Sequence, residues 1–363
     1  MSEFESLQRL SRAITANIIG IGHGNHQSIT RSRDGGPGRT TPLWPQSWVE
    51  AAGEATIRAR GAPKKIKLYC GWFCPFAQRG WIACEAKGID YQYIEINPYK
   101  VDTSEPGGYT KRALPLARKQ ELFPEFVAVS PRGLVPAMDA DGEFVWESMQ
   151  LIEYIDERFA GPRLLPADPL ARARVRIYVA HCADFIQKPY YTMLMVQDAA
   201  AREEAKDKML EGCRALARAM GPEGPFFLGD TFSAFEIALA PFWQRYLWVG
   251  STYRGLSFPA DEEFKRLQLW WSAVEQHPAV AATLVCRDRL ISSYSDYAEN
   301  KGTSEYAKSI QAGLGGKTSP SSGASASASA HGVQSPSPLA TGLVTLALGA
   351  VVGAAAAYRS LRK

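Results

Sequence analysis

The stretch "KIKLYCGWFCPFAQRGWIACEAKGIDYQYIEI", Lys65 to Ile96, constrains the fold more than any other part of the chain. Lys65–Cys70 alternates as a short strand does, and "PFAQRGWIACEAK" carries a helical pattern closed by Gly88, a residue suited to the end of a helix. Pro75 fits the first helical position, where its missing N–H would have no partner anyway. Cys74 is then the N-cap. Ile89–Ile96 reads as a second strand, and two strands joined through a helix lie parallel.

Further along, "VPAMDADGEFVWES" sets Asp141-Gly142 between two apolar runs, which predicts a hairpin. "SMQLIEYIDERF" places Leu151, Ile152, Ile155 and Phe159 at helical spacing. A βαβ unit followed by ββα is the thioredoxin plan, predicted for residues 63–162 with a long insertion at about 97–128. From Pro169 to Asn300 helical signals replace strand signals. "LARARVRIYVAHCADFIQKPYYTMLMV" and "AAAREEAKDKMLEGCRALARAM" read as two long helices. The predicted fold class is an α/β thioredoxin-like N-terminal domain followed by an all-α domain over 168–300.

The flanks have a different composition. Residues 1–62, with "SRDGGPGRTTPLWP", read as a mostly flexible extension. Glu3 and Glu5 and the lack of an unbroken apolar core argue against a secretory signal, and the early acids argue against a transit peptide. Residues 301–338 are rich in Ser, Ala, Gly and Pro, bury too little apolar surface to order themselves, and are expected to form a linker. Leu339–Tyr358 is twenty residues without a charge, ahead of Arg359, Arg362 and Lys363. As a helix it would span ~30 Å, the thickness of a hydrocarbon core. We read it as a transmembrane tail anchor with a basic tail at 359–363, the alternative being an Ala-rich buried helix. The anchor would leave the folded part facing the cytosol, with the mitochondrial outer membrane or peroxisome favoured over the endoplasmic reticulum.

A net charge of +4 gives no sign of a nucleic-acid partner. Cys70, Cys74, Cys84, Cys182, Cys213 and Cys286 are too scattered for a disulfide scaffold and fit a reducing compartment. A zinc site needs a second ligand pair, which the sequence lacks at suitable spacing, so no metal is expected. A redox dithiol needs C-x-x-C, whereas Cys70 and Cys74 form C-x-x-x-C and the resolving position is Ala77. The remaining reading is a single activated thiol, with a Cys70–Cys74 bridge as the alternative. A cysteine at an N-cap faces backbone N–H groups and the positive end of the helix, which lower a thiol pKa from about 8.5. Arg79 is placed to add positive charge.

"FCPFAQR", "GIDYQYIEIN", "GLVPAM" and "ESMQLIEYID", in that order, resemble glutathione transferases, most closely the omega class, over about Lys64 to Asn300. The resemblance implies glutathione as co-substrate and Cys74 as the residue that forms a mixed disulfide with it. It implies that Phe76 flanks the tripeptide. It also implies that Val135, before a cis Pro136, pairs with the cysteinyl part, and that Glu147 and Ser148 hold the γ-glutamyl group. A cation for the glycine carboxylate is expected near the insertion, where Lys111, Arg112, Arg118, Lys119 and Arg132 are candidates and Arg132 is carried into the predicted site. "DTFSAFEIALAPF" resembles the family's helical capping segment, with Ser233 and Glu236 as a capping box.

Three functions follow. The first is a glutathione-dependent thiol transferase or reductase acting on disulfides or dehydroascorbate. The second is conjugation of small hydrophobic electrophiles, with "KPYYTMLM" and "FWQRYLW" lining a second pocket. The third is a non-catalytic membrane-tethered adaptor. The family usually forms dimers, which makes a homodimer a further expectation.

Overall fold

The computed structural model describes residues 57–59, 64–102 and 109–314. Strands β1 (Ile57–Ala59), β2 (Ile66–Cys70), β3 (Gln92–Ile96), β6 (Ala137–Ala140) and β7 (Glu143–Trp146) form one sheet in the order β1-β3-β2-β6-β7. Between them, β4 (Tyr99–Val101) and β5 (Tyr109–Ala113) make a separate two-stranded ladder. Strands β2 and β3 run parallel, with Leu68 opposite Tyr93, as their helical connection requires. The β2–β6 and β6–β7 pairs are antiparallel, the second closed by the predicted turn at Asp141-Gly142. Strand β1 pairs antiparallel with β3, which corrects the flexible extension predicted for 1–62 at these three residues.

Helix α1 (Pro75–Lys87) makes the crossover and ends on Gly88, whose φ of 66° suits a residue without Cβ. The insertion predicted at about 97–128 comprises the β4–β5 ladder, α2 (Leu116–Leu122) and most of α3 (Pro124–Val129). Helix α4 (Ser148–Arg158) packs beside α1 with Leu151, Ile152 and Ile155 buried. On the opposite face of the sheet, Tyr69, Ile94 and Ala137 meet Phe123, Phe126 and Val129. Apolar residues on both faces explain why β3 reads as a nearly continuous buried strand.

The helical half begins with α5 (Pro169–Cys182), whose N-cap Asp168 accepts from the Ala171 N–H at 2.7 Å. It runs through a π turn, Ala183–Gln187, into α6 (Lys188–Met195). Pro189 has no N–H to return to this turn, so the regular ladder is interrupted there. Helix α7 (Ala199–Ala219) crosses the turn at Gly212, where a Cβ would stand 2.2 Å from the Phe185 carbonyl oxygen. Helix α8 (Ala234–Arg245) starts with the predicted capping box and packs on α1. It continues through a second π turn, Tyr246–Gly250, into α9 (Ser251–Arg254). Then follow α10 (Glu262–Gln276), α11 (Pro278–Ala281), α12 (Arg287–Ser292), α13 (Ser295–Ala298) and α14 (Glu305–Leu314).

Helix α14 corrects the linker predicted from residue 301. Its Ala307 and Ile310 are buried and Tyr306 packs on Tyr191, so the helical half extends through 314. Among the described residues no helix is long and apolar enough to cross a membrane. The anchor at 339–358, its basic tail, most of the linker and most of 1–62 lie outside the described residues.

A buried ion pair within the first half anchors the chain that leaves it. Lys87 Nζ lies 3.1 Å from Asp156 Oδ1 and also donates to the Pro162 carbonyl. Asp156 in turn accepts the N–H groups of Leu164 (2.8 Å) and Leu165 (3.0 Å), tying the chain that leads into the helical half.

Candidate functional site

Strand β2 ends at Cys70, and a short turn carries the chain into α1. Trp72 and Phe73 fold inward, their rings edge to face at 5.5 Å. Cys74 follows with an extended backbone and its N–H bonded to the Gly71 carbonyl at 2.9 Å. It is the N-cap of α1, with Pro75 at the first helical position. The side chain is partly buried at the wall of a cavity of about 410 Å³. Cys70 is a free, buried thiol whose pKa is pushed up, chiefly by burial.

The cavity brings together all seven predicted site residues: Cys74, Phe76, Arg132, Val135, Pro136, Glu147 and Ser148. The Val135–Pro136 peptide before β6 is cis. The β6–β7 hairpin delivers Glu147, the N-cap of α4, with φ at 69°. A non-glycine residue in that region costs about 1–3 kcal/mol and persists where its surroundings over-determine it. Glu147 is held between hairpin and helix, with its carboxylate 2.9 Å from Arg132 Nη1. Arg132 gives its other terminal nitrogen to Glu305 at the start of α14. The three side chains are about half exposed, so these pairs orient more than they stabilise.

Of the five basic candidates for the glycine carboxylate, Lys111 and Arg132 line the cavity. Arg112 is within 3.8 Å of Asp296, Arg118 pairs with Glu121, and Lys119 donates to the Gly133 carbonyl at 2.9 Å. Lys111 enters on β5, is 2% exposed, and packs against the rings of Phe73 and Tyr99. Burial lowers its pKa to about 7.

Two buried guanidinium groups lie beside the cysteine turn. Arg79 donates Nε to the Ala238 carbonyl (2.9 Å) and Nη1 to Ser148 Oγ (3.2 Å), and burial lowers its pKa to about 10. Arg245 donates Nη2 to the Phe73 carbonyl (3.1 Å), Nη1 to Gln78 Oε1 (3.0 Å) and Nε to the Tyr294 hydroxyl (2.8 Å). Among the described residues neither has an ion-pair partner. The region around Cys74 therefore holds positive charge that protein carboxylates do not neutralise, an arrangement that favours anions.

The far wall is aromatic: Tyr191, Tyr294, Tyr297 and Tyr306. Burial pushes their hydroxyl pKa values up, so all four stay neutral. Tyr191 comes from "KPYYTMLM" and lines the same cavity as Cys74. "FWQRYLW" does not line the cavity; Phe242 supports it from behind, 5.1 Å from the Phe76 ring. Glu305, Tyr306 and Ser309 of α14 also line it and were missed by sequence reasoning. The available signal was Tyr306, Ala307 and Ile310 at helical spacing. Arg245 was missed too, although a lone charge inside an apolar run was visible. Among the described residues no three His, Cys, Asp or Glu side chains gather to hold a metal ion.

Residues 73–158 match the description "Glutathione S-transferase, N-terminal domain" and residues 199–271 match "Glutathione S-transferase, C-terminal domain". "Glutathione S-transferase L2, chloroplastic" of Arabidopsis thaliana is 30% identical over 261 residues, covering 70% of this chain and 80% of that one. "Protein IN2-1 homolog A" of Oryza sativa subsp. japonica is 31% identical over 199 residues, 53% of this chain and 72% of that one. Glutathione transferase Omega 3C from Trametes versicolor superimposes with a TM-score of 0.54 at 32% identity, covering 65% of this chain and 91% of that structure.

Proposed function

The chain belongs to the glutathione S-transferase family, and on that premise we propose that it is a glutathione-dependent thiol transferase of the omega type, with Cys74 forming a mixed disulfide with glutathione. The observation that carries this reading is a cysteine at the N-cap of α1, on a cavity with buried positive charge around it. A hydroxyl there would serve only to orient the glutathione thiolate. A thiolate both attacks and leaves well, which suits exchange. In this reading Glu147 takes the γ-glutamyl ammonium, while Ser148 and the first N–H groups of α4 take its carboxylate. Val135 offers its backbone to the cysteinyl part, and Phe76 flanks the tripeptide. Arg132, tied to Glu147 and Glu305, belongs at the γ-glutamyl end and not the glycine end predicted for it.

The test is intact-mass measurement after incubation with oxidised glutathione, beside Cys74→Ser. The reading requires one adduct on the parent, removed by free glutathione and lost in the variant. Turnover on a glutathionylated peptide and on dehydroascorbate then separates the substrates. The tyrosine wall favours a second reading, conjugation of small hydrophobic electrophiles. A glutathione thioether formed from a chromogenic electrophile, undiminished in Cys74→Ser, would select it.

For residues 339–358 the proposal is a membrane anchor, resting on twenty uncharged residues followed by a basic end. A chain ending at Ser337 should leave the membrane fraction, and retention there would refute the anchor.

A further inference from the structure

Lys111 is set apart from every other lysine of the fold. Its side chain is 2% exposed, and among the described residues its ammonium has no hydrogen-bond or ion-pair partner. Rings surround it instead. Nζ lies 4.3 Å from the ring centre of Phe73, 4.9 Å from Tyr294, 5.2 Å from Tyr99 and 5.9 Å from Tyr297. Lys111 lines the same cavity as Cys74. A lysine buried among rings, with its donors unspent, is poised to gain or lose a proton according to what stands opposite it.

We propose that Lys111 is the proton partner of Cys74: its amine takes the proton as the thiolate forms, and its ammonium then faces that thiolate across the cavity. The inference rests on the thiol-transferase reading above and adds to it the fate of the proton.

The groups around Lys111 support the pairing. The nearby carboxylate, Asp296, accepts the Lys111 backbone N–H at 2.7 Å and lies 3.8 Å from Arg112, so its charge is shared elsewhere. Arg245 disfavours a second positive charge, and the hydroxyls of Tyr99, Tyr294 and Tyr297 stay neutral. Among charges, the Cys74 thiolate acts most strongly in favour of the ammonium, ahead of Asp296, while burial opposes it and brings the group to about 7. On this proposal the two groups hold one proton between them, as thiol with amine or as thiolate with ammonium.

The exchange balances. The Cys74 thiolate attacks the glutathione sulfur of a mixed disulfide R–S–SG. The Cys74–SG bond forms and the sulfur–sulfur bond between R–S and SG breaks, and R–S⁻ leaves with the proton of the Lys111 ammonium. A second glutathione then gives its thiol proton to the Lys111 amine and attacks the glutathione sulfur on Cys74. Oxidised glutathione departs, the Cys74 thiolate is regenerated, and the ammonium stands opposite it again. The sum is R–S–SG plus glutathione to R–SH plus oxidised glutathione, the substrate sulfur being reduced and the second glutathione oxidised.

The test uses the full chain with Lys111→Met, Lys111→Gln and Lys111→Arg, without glutathione. The rate of iodoacetamide alkylation of Cys74, located by peptide mapping, is followed against pH. At about pH 6.5 the two neutral variants should react about tenfold more slowly than the parent and draw level at about pH 9.5, while Lys111→Arg stays within about twofold. Superimposable profiles overturn the pairing, even if glutathione binds the variants less tightly, since Lys111 would then be a carboxylate anchor only. A guanidinium keeps the charge but cannot give up its proton, so Lys111→Arg should restore alkylation and not turnover on a glutathionylated peptide. A folded Lys111→Arg that fails to restore alkylation, or that restores turnover in full, also overturns the proposal, leaving a role in packing or in charge alone. Adduct formation with oxidised glutathione is scored separately. An altered profile without an adduct keeps the pairing and removes the thiol-transferase reading, and an adduct with an unaltered profile does the reverse.

Discussion

Arg245 Nη2 donates to the carbonyl oxygen of Phe73 across 3.1 Å, one residue before Cys74. A guanidinium at the end of α8 thereby fixes the turn that presents the cysteine, and its Nη1 reaches Gln78 on α1 as well. The helical half is thus a structural part of the thiol site, beyond any role as a wall for substrate.

Arg245→Met should weaken both fold and site. It leaves the Phe73 and Pro241 carbonyls and the Gln78 amide oxygen short of a donor, at about 1–3 kcal/mol for each buried group. Urea unfolding should show a loss of about 3 kcal/mol or more by the same reckoning. Arg245→Lys, with one nitrogen in place of a fork, should recover less than half of it.

The Lys87–Asp156 pair should be the most costly surface-independent contact to break. Asp156→Ala leaves a buried ammonium uncompensated, for which about 3–5 kcal/mol is expected in denaturant titration. Burial works against the Asp156 carboxylate, but the N–H groups of Leu164 and Leu165 and the Lys87 ammonium outweigh it and hold its pKa below the ordinary 3.8. Its stabilisation is therefore fully present above that value and lost as pH falls through the folded one. The parent should lose stability in acid more steeply than Asp156→Asn.

Glu236 should show the opposite sign. Burial raises its pKa above the ordinary 4.5 despite donors from Phe227, Ser233 and Trp270. The unfolded chain then releases this proton first, so this residue's contribution falls as pH rises from 4.5 through the folded value and is flat above it. Comparing the parent with Glu236→Gln by thermal unfolding across that window isolates this residue's contribution, and a slope that rises with pH would contradict it.

At the mouth of the cavity, Glu147→Gln should raise the glutathione dissociation constant about tenfold in calorimetric titration, the loss of one charge-assisted contact. Glu305→Gln should move it less than about fivefold, since an exposed pair contributes ~1 kcal/mol or less. Unfolding midpoints should barely shift in either variant.

Gly212→Ala tests the crossing of α7 over the first π turn. A Cβ there meets the Phe185 carbonyl oxygen at 2.2 Å, and backbone cannot step aside as a side chain can. A loss of about 1–3 kcal/mol is expected from overpacking, read as a lower melting temperature.

What was legible in the sequence was what local periodicity encodes. The change from alternation at Lys65–Cys70 to a helical pattern after Pro75 marked the crossover, and Ser233 with Glu236 marked the start of α8. Helix α14 escaped because its own spacing was swamped by the Ser/Ala/Gly stretch after it. Three-residue β1 escaped because so short a strand exists only through its pairing with β3. Lys111 could not be told from its four basic neighbours for a different reason. Its place depends on β5 meeting Asp296, 185 positions later, and no local pattern records a contact of that range.

The β1–β3 pairing also bears on how the protein keeps to itself. Ile57–Ala59 occupies the hydrogen-bonding edge of β3, with Ile57 opposite Ile96 and Ala59 opposite Ile94. Remove those three residues and β3 presents a bare row of N–H and C=O groups on an otherwise buried strand, the kind of edge that recruits a second chain. A stretch that reads as part of a flexible extension thus acts as a guard against self-association, and a fragment begun at residue 60 would lack it.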